Sequence, residues 1–191
     1  MNVLSISSAG SITFTAPTDS NICYGSSLTG TLSSTALAIV SHDLSYQWQS
    51  SNNGVDWSNI DGATEINYTP PALFQTTYFK RIASVSSNTL VCVEDGDSNI
   101  LTVTVDAPFS LSLSTPQPIY CLDEVIQFSA TAGAVSYTFF INGISAQSST
   151  TATLNATVST TTSVASLTVK NNDIVPVIAE DTNGCTVSAP L

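Results

Sequence analysis

The chain of 191 residues repeats itself at half its length, and that repeat limits what it can fold into. The first half reads Ile12-Thr13-Phe14-Thr15-Ala16-Pro17 and then Ile22-Cys23, while the second reads Leu111-Ser112-Leu113-Ser114-Thr115-Pro116 and then Ile119-Tyr120-Cys121. Each opens on an alternation of period two, which puts Ile12 with Phe14, or Leu111 with Leu113, on one face of a strand. Strand-like runs follow at residues 28–32 and 125–128. Next come Tyr46-Gln47-Trp48-Gln49 and Tyr137-Thr138-Phe139-Phe140, then Asn53-Gly54 and Asn142-Gly143. Asn-Gly accepts the positive φ angles of a tight hairpin. Later strands are expected at residues 77–85, 99–105, 164–169 and 174–179.

Short strands, frequent turn signals and no helical period predict an all-β chain of two tandem immunoglobulin-like β-sandwich domains. The expected domains are residues 1–107 and 108–191, with the boundary near Asp106-Ala107-Pro108 and a linker short enough to restrict relative motion. Tyr46, Trp48, Tyr137 and Phe139 are the expected core aromatics. The end at Ser188-Ala189-Pro190-Leu191 is too short to match residues 99–105, so the last strand is expected to be truncated.

Only 9% of residues are charged, and serine and threonine fill the gap with more than a quarter of the chain. With so many β-branched and aromatic residues, that composition predicts strands with a hydroxyl-rich outer face rather than disorder. A net charge of −11 leaves no basic patch for nucleic acid or an anionic membrane. No apolar run reaches the roughly 18 residues of a membrane span, and no secretory signal follows Met1. A secreted-type composition without a signal suggests an excised fragment whose Met1 is an expression start.

The cysteines fall two to a half, and the repeat favours the pairs Cys23–Cys92 and Cys121–Cys185 among three connectivities. Each closure would contribute about 4 kcal/mol in the chain-entropy model and would imply an oxidising compartment. A zinc site is disfavoured because no Cys-x-x-Cys spacing occurs and His42 is the only histidine.

The stretch from Tyr46 through Asn53-Gly54-Val55-Asp56-Trp57, with Ile60-Asp61-Gly62, Tyr68-Thr69-Pro70 and Thr77-Tyr78-Phe79-Lys80-Arg81, resembles the immunoglobulin-like repeats of very large Bacteroidota surface proteins. These include the giant SprB-type gliding-motility adhesins exported by type IX secretion. The second half, with Tyr137 to Gly143 and Asp181-Thr182-Asn183-Gly184-Cys185, is similar to a companion repeat. The resemblance implies a non-enzymatic module of an extracellular, outer-membrane-associated adhesin in attachment or gliding. Its implied partners are neighbouring repeats and, beyond them, polysaccharide or abiotic surfaces. Antibody-type domains place their cysteines around the core Trp. Here Cys23 lies well before Trp48, so the expected bridge ties one end of the sandwich.

Candidate sites are few. Trp57, off the Tyr46/Trp48 face, could stack on a sugar ring or simply close the sandwich edge. Asp95, Asp97 and Asn99 alternate as in a calcium loop, but Ile100 stands where glycine is needed, so a solvated hairpin tip is the plainer reading. Asp181-Thr182-Asn183-Gly184 reads as a turn before it reads as a calcium site, and no other cofactor is implied. His42 beside Asp43 has no nucleophile motif near it and is expected in a loop. Lys80 and Lys170 could enter isopeptide crosslinks only in principle. Asn67-Tyr68-Thr69 and Asn155-Ala156-Thr157 match the glycosylation sequon incidentally. A structural surface module is the leading function; a carbohydrate- or surface-binding module, or accessory domains of a secreted hydrolase, are the alternatives.

Overall fold

The computed structural model describes residues 10–15, 20–34, 43–87, 90–116 and 119–190, with the side chains of 43, 85–87 and 90–95 left aside. The described residues contain strands and turns and no helix. The chain divides into Met1–Ala107 and Pro108–Leu191.

Unit 1 contains β1 (Ile12–Phe14), β2 (Asn21–Cys23), β3 (Leu32–Ser34), β4 (Asp43–Ser51), β5 (Ser58–Asn59), β6 (Thr77–Ser87), β7 (Leu90–Asp97) and β8 (Leu101–Asp106). One sheet pairs β1 with β3, and Leu32 and Tyr68 extend it by exchanging backbone hydrogen bonds of 2.8 and 2.9 Å. The other runs β2-β8-β6-β4-β5, with β7 also on β6 and β2 parallel to β8. Between the sheets lie Ile12, Leu28, Leu32, Trp48, Phe79 and Val103. Period two explains the selection: Phe79 and Ala83 on β6 are buried, as is Trp48 on β4.

Unit 2 contains β9 (Leu113–Ser114), β10 (Val125–Ala130), β11 (Ser136–Ile141), β12 (Ile144–Ser149), β13 (Thr153–Val158), β14 (Thr168–Val169), β15 (Val177–Glu180) and β16 (Thr186–Ala189). Its sheets run β14-β13-β10-β9 and β12-β11-β15-β16. Tyr137, Phe139 and Ile141 alternate with partly exposed neighbours along β11 and meet Phe128, Leu154, Val177 and Ala179 in one core. Both units thus carry the first, second and fifth strand positions of an immunoglobulin-like sandwich on one sheet and the third, sixth and seventh on the other.

The first strand of each unit is clasped by the same hydroxyl device. Thr31 N–H donates to Thr15 Oγ1 at 2.7 Å, and Thr15 N–H returns a bond to Thr31 O at 2.9 Å. In unit 2, Ser112 N–H donates to Thr131 Oγ1 at 3.0 Å, and Thr131 N–H donates to Ser112 O at 2.9 Å.

Several expected elements shift. The strand expected at 28–32 starts only at Leu32, with Leu28 buried ahead of it. The strand expected at 164–169 shrinks to β14 because residues 163–168 close a turn: Leu167 takes φ 50°, and its N–H reaches Val164 O. β15 begins at Val177, after Pro176 removes a backbone donor. Asn142-Gly143 forms the expected hairpin turn, with φ 51° and 83°. Asn53-Gly54 does not, since only Gly54 is positive. There Asn53 Oδ1 gathers the N–H groups of Val55 and Asp56, both at 2.9 Å, and shapes a longer loop before β5.

Candidate functional site

The inner face of β4 and β6 holds a cation. Register sets Trp48 directly opposite Arg81, so both side chains point into the core with Tyr46 and Phe79. Arg81 is fully buried, its guanidinium carbon 4.0 Å from the Tyr46 ring centroid, and Nη1 donates to Ile66 O at 2.9 Å. Trp48 Nε1 donates to the neighbouring carbonyl of Glu65 at 2.9 Å. Burial pushes the Arg81 pKa below its ordinary value, with Tyr46 opposing the shift, and burial raises the Tyr68 phenol. The expected core aromatics divide accordingly: Trp48, Tyr137 and Phe139 are buried, whereas Tyr46 is half-buried and serves as the plate under Arg81.

On the outer face, Lys80 Nζ sits 4.8 Å from the Trp57 ring centroid and 2.9 Å from Asp97 Oδ2. Trp57 is therefore half-buried under a lysine that an acid holds in place. The reading of Asp95, Asp97 and Asn99 as a hairpin tip is corrected, because Asp95 and Asp97 lie within β7. Asp97 is committed to Lys80, and Asn99 ties β1 in place, accepting from Ile12 N–H at 2.8 Å and donating to Ile12 O at 3.0 Å. The Asp95 side chain lies outside the described residues, as do the side chain of Cys92 and all of His42. No group of three metal-ligating side chains occurs among the described residues.

Asp181 builds its own turn, its Oδ1 accepting from Asn183 N–H and Cys185 N–H at 2.9 Å each, with Gly184 at φ 80°. The expected Cys121–Cys185 bridge is not formed. Cys121 is a free, exposed thiol, while Cys185, like Cys23, is disulfide-bonded. The reason is topological. Cys121 precedes the first residue of β10, whereas the pairing of Ser136 with Glu180 puts the β15–β16 turn at the end where β10 finishes. A six-residue strand of about 20 Å separates these ends, and a disulfide spans Cα atoms only about 4.4–6.8 Å apart. Native alkylation without reductant is expected to label Cys121 and leave Cys185 unlabelled; peptide mapping showing Cys185 modified, or Cys121 blocked, contradicts this assignment.

Asp173 gave no signal in the sequence, yet it organises one end of unit 2. Its carboxylate accepts from Thr162 Oγ1 at 2.6 Å, Lys170 N–H at 2.9 Å and Asn142 Nδ2 at 2.9 Å. Burial works against its charge, but these bonds and the Lys170 charge outweigh it and hold the pKa below the usual carboxylate value. A depressed carboxylate contributes stability above its unfolded pKa of about 3.9, and loses it as pH falls through the folded value. Urea midpoints of unit 2 are expected to fall more between pH 5 and pH 3 in the wild type than in Asp173→Asn. Equal losses in the two would refute the assignment.

A comparison with curated proteins finds no match. Among solved structures, the chain is similar to the N-terminal four Ig domains of Dscam1 isoform 7.44, at 14% identity and TM-score 0.28, over 95% of this chain and 45% of that one. It is also similar to the FN1-FN3 domains of chicken CNTN1, at 14% identity and TM-score 0.29, over 95% and 66%. The apo β-glucuronidase 3 of Bacteroides uniformis gives 11% identity and TM-score 0.24, over 97% and 25%. The chain thus spans two thirds or less of each of these proteins, and the immunoglobulin-like character of its units rests on strand order rather than on these likenesses. The model of one family, DUF8696, a domain of unknown function, matches residues 11–107, just over half the chain, and the chain belongs to that family.

Proposed function

We propose that the chain is a non-enzymatic structural and adhesive repeat module of a large secreted cell-surface protein, of the kind that serves attachment or gliding in Bacteroidota. One observation carries the reading: side chains that looked capable of chemistry are spent on joining strands. Lys80 holds Asp97 and covers Trp57, Asn99 fastens Ile12, and Asp181 closes its own turn. Such ties suit a part that bears load and presents a surface. The resemblance of the Tyr46–Arg81 stretch to surface-adhesin repeats supports an outer-membrane-associated location and neighbouring repeats as partners. Shaving intact cells of the source organism with external protease tests this. Release of peptides from this chain is the expected result, and peptides that appear only after lysis would defeat it.

A second reading has one observation in its favour. Trp57 remains partly exposed on the outer face beside Lys80 and Asp97, an aromatic plate with polar neighbours that suits a sugar ring. Glycan-array binding abolished by Trp57→Ala would establish it, and an array silent for the wild type would remove it.

A further inference from the structure

Asparagine followed by glycine occurs three times, at Asn53-Gly54, Asn142-Gly143 and Asn183-Gly184. In such a pair the glycine nitrogen can attack the asparagine carboxamide, because no side chain on the second residue stands in the way. The reaction needs a carboxamide that is free to swing toward that nitrogen.

Two of the three are held. Asn53 Oδ1 accepts from Val55 N–H and Asp56 N–H at 2.9 Å each and from Ser51 Oγ at 3.0 Å. Its Nδ2 donates to Asp56 Oδ2 at 2.8 Å. Asn142 is fixed at both ends, Nδ2 donating to Asp173 Oδ1 and Oδ1 accepting from Ile174 N–H, at 2.9 Å each. Asn183 differs. It is exposed, and although its main-chain N–H donates to Asp181 Oδ1, its carboxamide has no hydrogen-bond partner among the described residues. Gly184 is exposed as well, and its N–H makes a long bond of 3.2 Å to Asp181 O.

We propose that Asn183-Gly184 is a site of self-modification, at which this turn deamidates. Gly184 N bonds to Asn183 Cγ and gives its proton to solvent, the carboxamide nitrogen leaves as ammonia, and a cyclic imide forms. Water then opens the imide at either carbonyl and leaves aspartate or isoaspartate, with no oxidant or enzyme taking part. The imide step removes the Gly184 N–H that closes the turn. Isoaspartate also adds a methylene to the main chain between the N–H groups of residues 183 and 185, both of which Asp181 Oδ1 gathers. Either product sets a new negative charge beside Asp181. The turn joins β15 to the edge strand β16 and carries disulfide-bonded Cys185, so the loosening falls beside that bridge.

The test incubates the whole folded chain at mildly alkaline pH, where loss of the glycine proton is favoured. Peptide mapping that separates asparagine, aspartate and isoaspartate follows the three sites. Asn183 is expected to convert first. Asn142 should lag it roughly tenfold, since two hydrogen bonds must break before its carboxamide can turn, and Asn53 should lag further. Asp173→Ala releases Asn142 Nδ2, and is expected to speed conversion there without changing the rate at Asn183. Conversion at Asn142 or Asn53 as fast as at Asn183 overturns the proposal. So does an Asn183 that stays intact in the folded chain while the free peptide of residues 180–187 converts.

Discussion

Arg81→Ala is expected to lower the stability of unit 1 by about 3–5 kcal/mol, a large share of what a domain of this size possesses. The change empties the volume between Tyr46 and Trp48 and leaves Ile66 O without its donor. The charge itself is not the asset, because a buried guanidinium carries a desolvation cost, which the lowered pKa records. Arg81→Met separates the two effects. It keeps most of the volume and removes the charge, and should cost about 1–3 kcal/mol, the value of a stranded carbonyl. Both tryptophans, Trp48 and Trp57, lie in unit 1, so urea unfolding followed by indole fluorescence reports this unit alone. Equal losses for the alanine and methionine variants would mean that packing around the guanidinium contributes nothing.

Phe139→Ala is expected to cost unit 2 a similar amount, about 3–5 kcal/mol. Phe139 is wholly buried where β11 passes between β12 and β15, with Tyr137 and Ile141 on the same face. Its neighbour Phe140 points to the other face and is only partly buried, so Phe140→Ala should cost well under half as much. The contrast controls for chemistry, since both variants remove a phenyl ring from adjacent positions. Chemical denaturation followed by far-UV circular dichroism and by the Tyr137 NMR signals measures both. A Phe140→Ala loss as large as that of Phe139→Ala would contradict the register of β11.

These expectations show which parts of the fold could be read from residue order. The matched runs of the two halves identified β4, β10 and β11, together with the core positions of Trp48 and Phe139, because strand-forming runs between turn signals depend only on local geometry. Strand parity puts Arg81 on the core face beside Phe79 and Ala83, but a charged residue type hid it. Asp173 was invisible for another reason. Lys170 is a local turn partner, but Thr162 and Asn142 lie 11 and 31 residues away in sequence and reach it only in the folded unit. The cysteines failed in a similar way: the repeat placed Cys121 and Cys185 in one unit, yet which end of a sandwich a turn occupies depends on strand direction. At residues 164–169 β-branched composition suggested a long strand, and a closed turn around Leu167 won instead.

The Thr15–Thr31 and Ser112–Thr131 clasps have a consequence for where such a molecule can work. The strand that any pull on the front of a unit would peel first is held by neutral hydroxyls and amides. Nothing in that clasp is screened by dissolved salt, and nothing in it titrates between mild acid and mild alkali. The grip on the leading strand is therefore the same in fresh water and in brine.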